Sequence, residues 1–203
     1  MAQPDPDPQP LVEVATRDRI LAAAMTVFAA KGYHGAIVDD IVEASGTSKG
    51  AFYHYFPSKQ GIFLTLMDEL AILVEKGVEI AIEAEHGALA KVEAALRVVM
   101  ETAAAERDMA KILLVEAVGL GPGFEQKRLE IHRRFAAVIQ RHLDRALADG
   151  DIPRQDTTLA AQVWIGALVE VITQWLSTDG ADPKTKLPAL RTLLLRSIGA
   201  GGE

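Results

Sequence analysis

The chain has 203 residues, 49% hydrophobic but only 5% aromatic, with no cysteine and a formal net charge of −7. That length holds one large domain or a small domain joined to a larger one, and an apolar content led by Ala, Leu, Val and Ile suits helices packed on helices. The missing thiols exclude disulfides and thiolate metal sites and fit a cytoplasmic home, while the acidic balance argues against a polyanion held by bulk charge.

Residues 1–14, opening "MAQPDPDPQP", read as an extended, disordered Pro/Asp tail without the basic and apolar regions of a leader. A helix is predicted from Thr16 to about Lys31, with Ile20, Leu21, Ala24, Val27 and Phe28 on the helical period and Gly32 closing it. After the turn "GYHG" comes a short helix, about Val38 to Ala44. In "SGTS" Gly46 suits a sharp turn and Ser48 an N-cap, and a third short helix, Lys49 to Phe56, ends at Pro57.

From Ser58 the segments lengthen. Helices are predicted to about Glu85, with Gly77 a candidate bend, then at about 88–106, 108–118, 124–149, 156–176 and 184–198, with "GLGPG" a turn between helices. Strand-type alternation is nowhere sustained, and no run reaches the roughly 18 uninterrupted apolar residues of a membrane span. The expected fold is all-α: a three-helix, helix-turn-helix head over residues 15–58, and a larger bundle over 59–203 for ligand binding and dimerisation.

"SGTSKGAFYHYFPSKQG", residues 45–61, crowds two of the three tyrosines and two of the six phenylalanines into one stretch. Phe52 and Phe56, four apart, can lock the third helix onto the first two. Lys49, Gly50, Tyr53 and His54 then lie off that face, and Tyr55 near the helix end. Tyr hydroxyls, Lys ammonium groups and backbone N–H groups are common donors to phosphate oxygens, and a helix after a Gly-containing turn is the kind that enters a major groove.

"VDDIVEASGTSKGAFYHYFPSKQGIF" resembles the DNA-binding segment of the TetR (tetracycline-repressor) family of transcriptional regulators. Asp40, Ile41, Gly46, Ser48, Gly50, Tyr53, Phe56 and Lys59 fit its pattern in type and spacing, and the resemblance spans about residues 17–63. It implies a homodimeric repressor on a double-stranded DNA operator, with a small-molecule inducer in the bundle, dimerisation through the last two long helices, and no cofactor. Lys49 and Gly50 fall where that family approaches bases, and Tyr53, Tyr55 and Lys59 where it contacts phosphates, with Thr47, Ser48 and His54 beside them. Three positions depart: Ile37 replaces a capping Thr, Thr47 an apolar turn residue, and Asp39 a basic or small one. Between 11 and 59, five Lys and Arg face five Asp and Glu, so a modest affinity with a shallow salt dependence is expected.

Elsewhere the chemistry is sparse. Histidines 34, 54, 86, 132 and 142 form no i, i+4 pair, so no metal site is expected, and no spacing nominates a catalytic set. Candidate pocket residues are Met100, Met109, Leu113, Phe135, Trp164 and Leu168, with Glu116, Arg128 and His132 as polar members. Ile172, Trp175, Leu190 and Leu194 are candidates for the dimer interface, although the stripe Trp164–Leu168–Ile172–Trp175 equally suits core packing. The cations Lys127, Arg128, Arg133, Arg134, Arg141 and Arg145 form either a solvated face or a seat for the anionic head of an amphiphilic inducer, such as an acyl-CoA or fatty acid. A helical adaptor without DNA binding is the rival reading.

Overall fold

The computed structural model describes residues 9–117, 119–178 and 183–200, and among them there is no strand. The chain divides into two compact units, Met1–Met67 and Asp68–Glu203.

The first unit contains α1 (Gln9–Gly35), α2 (Val38–Ser45), α3 (Lys49–Tyr55) and the first turns of α4 (Lys59–Glu83). Helix α1 starts at Gln9, inside the stretch expected as tail, and Pro10 falls in its first turn, where proline is tolerated. Residues 1–8 of that tail lie outside the described residues. Gly32 breaks regular helix geometry at φ 67°, ψ 171°, as the expected stop requires. Ile20, Ala24, Phe28, Ile41, Phe52, Ile62 and Phe63 are all fully buried. Each large side chain contributes about 1.5–3 kcal/mol of burial. Phe63 meets the Phe28 ring edge-on at 5.2 Å. The start of α4 thus shares the head's core, and the first compact unit runs to Met67.

The turn between α2 and α3 is closed first by backbone hydrogen bonds. Gly46 sits at φ 61°, ψ 33°, its N–H donates to Glu43 O, and Thr47 N–H donates to Val42 O at 3.2 Å. Ser48 caps α3, its Oγ accepting from Ala51 N–H at 3.1 Å. Ile37 has no side-chain acceptor to offer α2. Asp40 takes over part of the task by accepting from Ile37 N–H at 3.1 Å, and Lys31 pairs with the same carboxylate at 2.7 Å.

The second unit continues α4 and adds α5 (Ala88–Ala105), α6 (Arg107–Lys111) running into a π turn (Ile112–Glu116), α7 (Pro122–Asp149), α8 (Thr157–Leu176), a 3-10 turn (Pro183–Lys186) and α9 (Leu187–Ser197). Helix α4 runs unbroken through Gly77, where a bend was expected. A Cβ there would lie 3.0 Å from Val98 Cγ1, so this glycine serves the close approach of α5. One core joins Leu96, Met100, Leu143, Trp164, Leu168, Ile172, Leu176, Leu190, Leu194 and Ile198. The Trp164 indole N–H donates to Ser197 Oγ at 3.0 Å, and Thr157 donates to Asp144 at 2.5 Å, so these buried polar groups are satisfied. Helix α8 is long and apolar enough to cross a membrane by length and composition alone, but Ala161, Trp164, Leu168, Ile172 and Leu176 are buried against its neighbours.

Candidate nucleic-acid interface

Helix α3 is only seven residues long, and its two faces have opposite tasks. Phe52 and Phe56 point inward, 0% and 3% exposed, with ring centroids 6.0 Å apart. On the opposite side Ser48, Lys49, Gly50, Tyr53 and His54 are exposed, Tyr53 by 53%. Tyr55 is half-buried at the helix end, its ring edge-on to His54 at 4.8 Å. Thr47 is half-buried too, its hydroxyl 2.7 Å from Ser45 Oγ; Ser45 directs its own proton to Val42 O, so Thr47 donates.

Gly50 has no internal reason to be glycine. Its φ is not positive, and an added Cβ would meet only Ser48 Oγ, at an ordinary 3.7 Å. The small residue leaves the backbone of this exposed face open.

The cations of the head are engaged internally. Lys49 Nζ lies 2.8 Å from Asp39, which also raises the Lys49 pKa through that hydrogen bond. Lys59, expected at a phosphate, instead donates to Tyr33 O at 2.7 Å and Ala36 O at 2.8 Å and lies 4.3 Å above the Tyr33 ring. It ties α4 to the turn after α1. Arg19, which the spacing did not single out, donates to Ser45 O at 3.2 Å and Gly46 O at 3.4 Å and steadies the turn that aims α3. A cation opposite the unpaired carbonyls of a helix C-terminus was the only available signal, and it appears only once α1 and α2 are packed.

In the second unit the candidate pocket residues separate. Met100, Trp164 and Leu168 share the core, and Met109 and Leu113 are buried. Glu116 is exposed, a correction that follows from the π turn, which rotates the residues after Lys111 off the α-helical register. Arg128 binds Glu125 at 2.7 Å on its own helix. Phe135 and His132 are half-buried, and His132 Nε2 is buried without a hydrogen-bond partner. A groove of about 550 Å3 between α4 and α7 is lined by Glu75, Glu79, Ile80, Arg134, Val138 and Arg141 among others, and by none of those nine. Among the described residues no cluster of His, Asp and Glu could hold a metal.

The expected dimer residues also move. Ile172, Leu190 and Leu194 are 5%, 6% and 4% exposed in the protomer core. Trp175 is half-buried beneath the Arg107 guanidinium, 4.9 Å away. The large apolar side chains that α8 and α9 leave exposed are Leu159, Val163 and Leu193.

Residues 20–66 match the family described as "Bacterial regulatory proteins, tetR family", and residues 85–197 match "Tetracyclin repressor-like, C-terminal domain". The chain belongs to the TetR family of bacterial transcriptional regulators. Its TetR-type head is the helix-turn-helix domain and its bundle the ligand-binding domain of that family. The fatty acid metabolism regulator protein of Bacillus subtilis (strain 168) is 26% identical over 184 residues, covering 90% of this chain and 93% of that protein. The structure of the fatty acid degradation regulator FadR from Bacillus halodurans is similar with a TM-score of 0.79 at 25% identity, covering 88% of this chain and 97% of that one. FadR from Bacillus subtilis in complex with stearoyl-CoA shares the fold with a TM-score of 0.80 at 23% identity, over 91% and 99% of the two chains.

Proposed function

We propose that this TetR-family regulator is a cytoplasmic homodimeric repressor without catalytic activity, released from its operator by an amphiphilic acyl ligand such as a long-chain acyl-CoA or fatty acid. The observation that carries the DNA-binding half is the outward face of α3. Lys49, Gly50 and Tyr53 are exposed there, and Gly50 has a size no internal contact requires. Two such helices, roughly 34–36 Å apart, would enter successive major grooves. Tyr53, Tyr55, Ser48, Thr47 and His54 supply neutral donors to phosphates, and Lys49 reaches base edges.

The dimer would form through the exposed side of α8 and α9, where Leu159, Val163 and Leu193 await a second copy. Support for an acyl ligand comes from the fatty acid regulators among the similar proteins and from the stearoyl-CoA in one of them. The π turn that contains buried Leu113 adds a local reason, since such turns recur at functional sites. Release would come from the ligand's differential affinity for two spacings of the recognition helices.

The test is fluorescence anisotropy with a duplex enriched from a randomised library by the protein itself. Wild type should bind, Tyr53→Phe should bind all sequences about fivefold more weakly, and stearoyl-CoA should release the duplex. An absence of enrichment, or indifference to Tyr53→Phe, removes the DNA-binding reading. Release by cationic or aromatic drugs with none by stearoyl-CoA removes the acyl ligand.

A further inference from the structure

Every Lys and Arg among the described side chains of the head has an acceptor within the head. Arg19 holds the α2–α3 turn, Lys31 holds the Asp40 cap, Lys59 holds the carbonyls of Tyr33 and Ala36, and Arg17 lies 3.6 Å from its neighbour Asp18. The Lys49–Asp39 pair differs from these. Its side chains are 62% and 56% exposed, it bridges the helix before the turn to the helix after it, and no backbone group depends on it. Exposed pairs of this kind exchange partners cheaply.

We propose that Asp39 is a positioning and specificity-determining residue that aims Lys49 at a base edge and withholds it from phosphates. The proposal rests on the DNA-binding reading of α3. A lysine ammonium has three N–H donors. One stays on Asp39, and the other two can serve the O6 and N7 acceptors of a guanine, which carry no net charge. Moving Lys49 to a phosphate instead would leave the Asp39 carboxylate bare beside a polyanion, so arbitrary DNA gains little from this cation. Asp39 occupies the first turn of α2, where a negative charge is also favourable to the helix, so the carboxylate is held in place without any cost to the fold.

The experiment compares wild type, Asp39→Asn, Asp39→Glu and Asp39→Asn/Lys49→Gln on two probes, the enriched duplex and a mixed-sequence duplex, over a salt series. Thermal melts confirm that each variant is folded. Asp39→Asn should bind the mixed-sequence duplex more tightly and steepen log Kobs against log[salt] by about 1.8 per dimer, two phosphates at roughly 0.9 each. Its preference for the enriched duplex should fall severalfold. Asp39→Glu, which keeps a carboxylate, should behave as wild type, and the double variant should recover the shallow slope. The inference is overturned if Asp39→Asn changes neither slope nor preference, or if the double variant keeps the steep slope, since Asp39 would then act by general repulsion. If wild type binds neither duplex, both this inference and the DNA-binding reading fall; if it binds and Asp39→Asn is silent, this inference alone does.

Discussion

Arg134 of α7 grips Glu75 of α4 with two parallel bonds, Nε to Oε1 at 3.0 Å and Nη2 to Oε2 at 2.6 Å. Its third nitrogen reaches Asp68 at 3.2 Å, where Lys127 also binds at 2.9 Å, and Arg141 pairs with Glu79 further along. Lys127, Arg134 and Arg141 are spaced by seven, so all three return to the same side of α7. The cations that the sequence offered as a solvated face or a headgroup seat are, for these three, a ladder onto α4.

Breaking that fork should be measurable. Arg134→Ala and Glu75→Gln should each lower stability by about 1–2 kcal/mol, with a coupling near 1 kcal/mol in a double-mutant cycle. The loss should shrink at high salt, because both groups remain partly accessible. A coupling indistinguishable from zero in urea denaturation would make the fork decorative.

Lys59 separates a structural from a DNA-contacting task. Lys59→Met should destabilise the protein by about 2 kcal/mol, through loss of two charge-assisted bonds to Tyr33 O and Ala36 O. At a temperature where the variant is fully folded, its salt dependence of DNA binding should match wild type. A slope shallower by about 1.8 per dimer would return Lys59 to the phosphates.

Oligomeric state discriminates between two faces of the same helices. Val163→Asp and Leu193→Asp should give a folded monomer by light scattering and helical circular dichroism, because both side chains are exposed. Ile172→Asp should unfold the bundle, because an unpaired charge would be buried. Folded dimers from both surface variants would place the interface elsewhere.

Acid should weaken the bundle through His132. Burial, and then the Arg128 charge, hold its pKa below the ordinary imidazole value. The unfolded chain therefore takes up this proton at a higher pH than the native state does. The contribution to stability is complete above about pH 6.5 and declines as the pH falls below it. His132→Asn should flatten this limb of a stability–pH curve in part, because burial lowers the pKa of His142 as well.

Much of the head was readable before folding because its signals are local. Gly32, Gly46 and Ser48 act through their own turns, and Phe52 and Phe56 are four residues apart on one short helix. The α8 stripe was readable as apolar but not as to what covers it. Helical periodicity marks the apolar positions of α8, yet it does not tell Ile172, buried inside the protomer, from Leu159, which the protomer leaves exposed.

Charges behave similarly. The residue types alone settled that the head carries equal numbers of acidic and basic groups, and the glycine and proline positions marked the short helices α2 and α3. Which cation meets which acceptor depended on chain segments brought together from far apart: Lys49 with Asp39, Lys59 with the carbonyl of Tyr33, Arg134 with Glu75. Turn and cap energies involve neighbours along the backbone and are written in short words of sequence. Ion pairs and core burial are energies of distance through space, and only packing sets those distances.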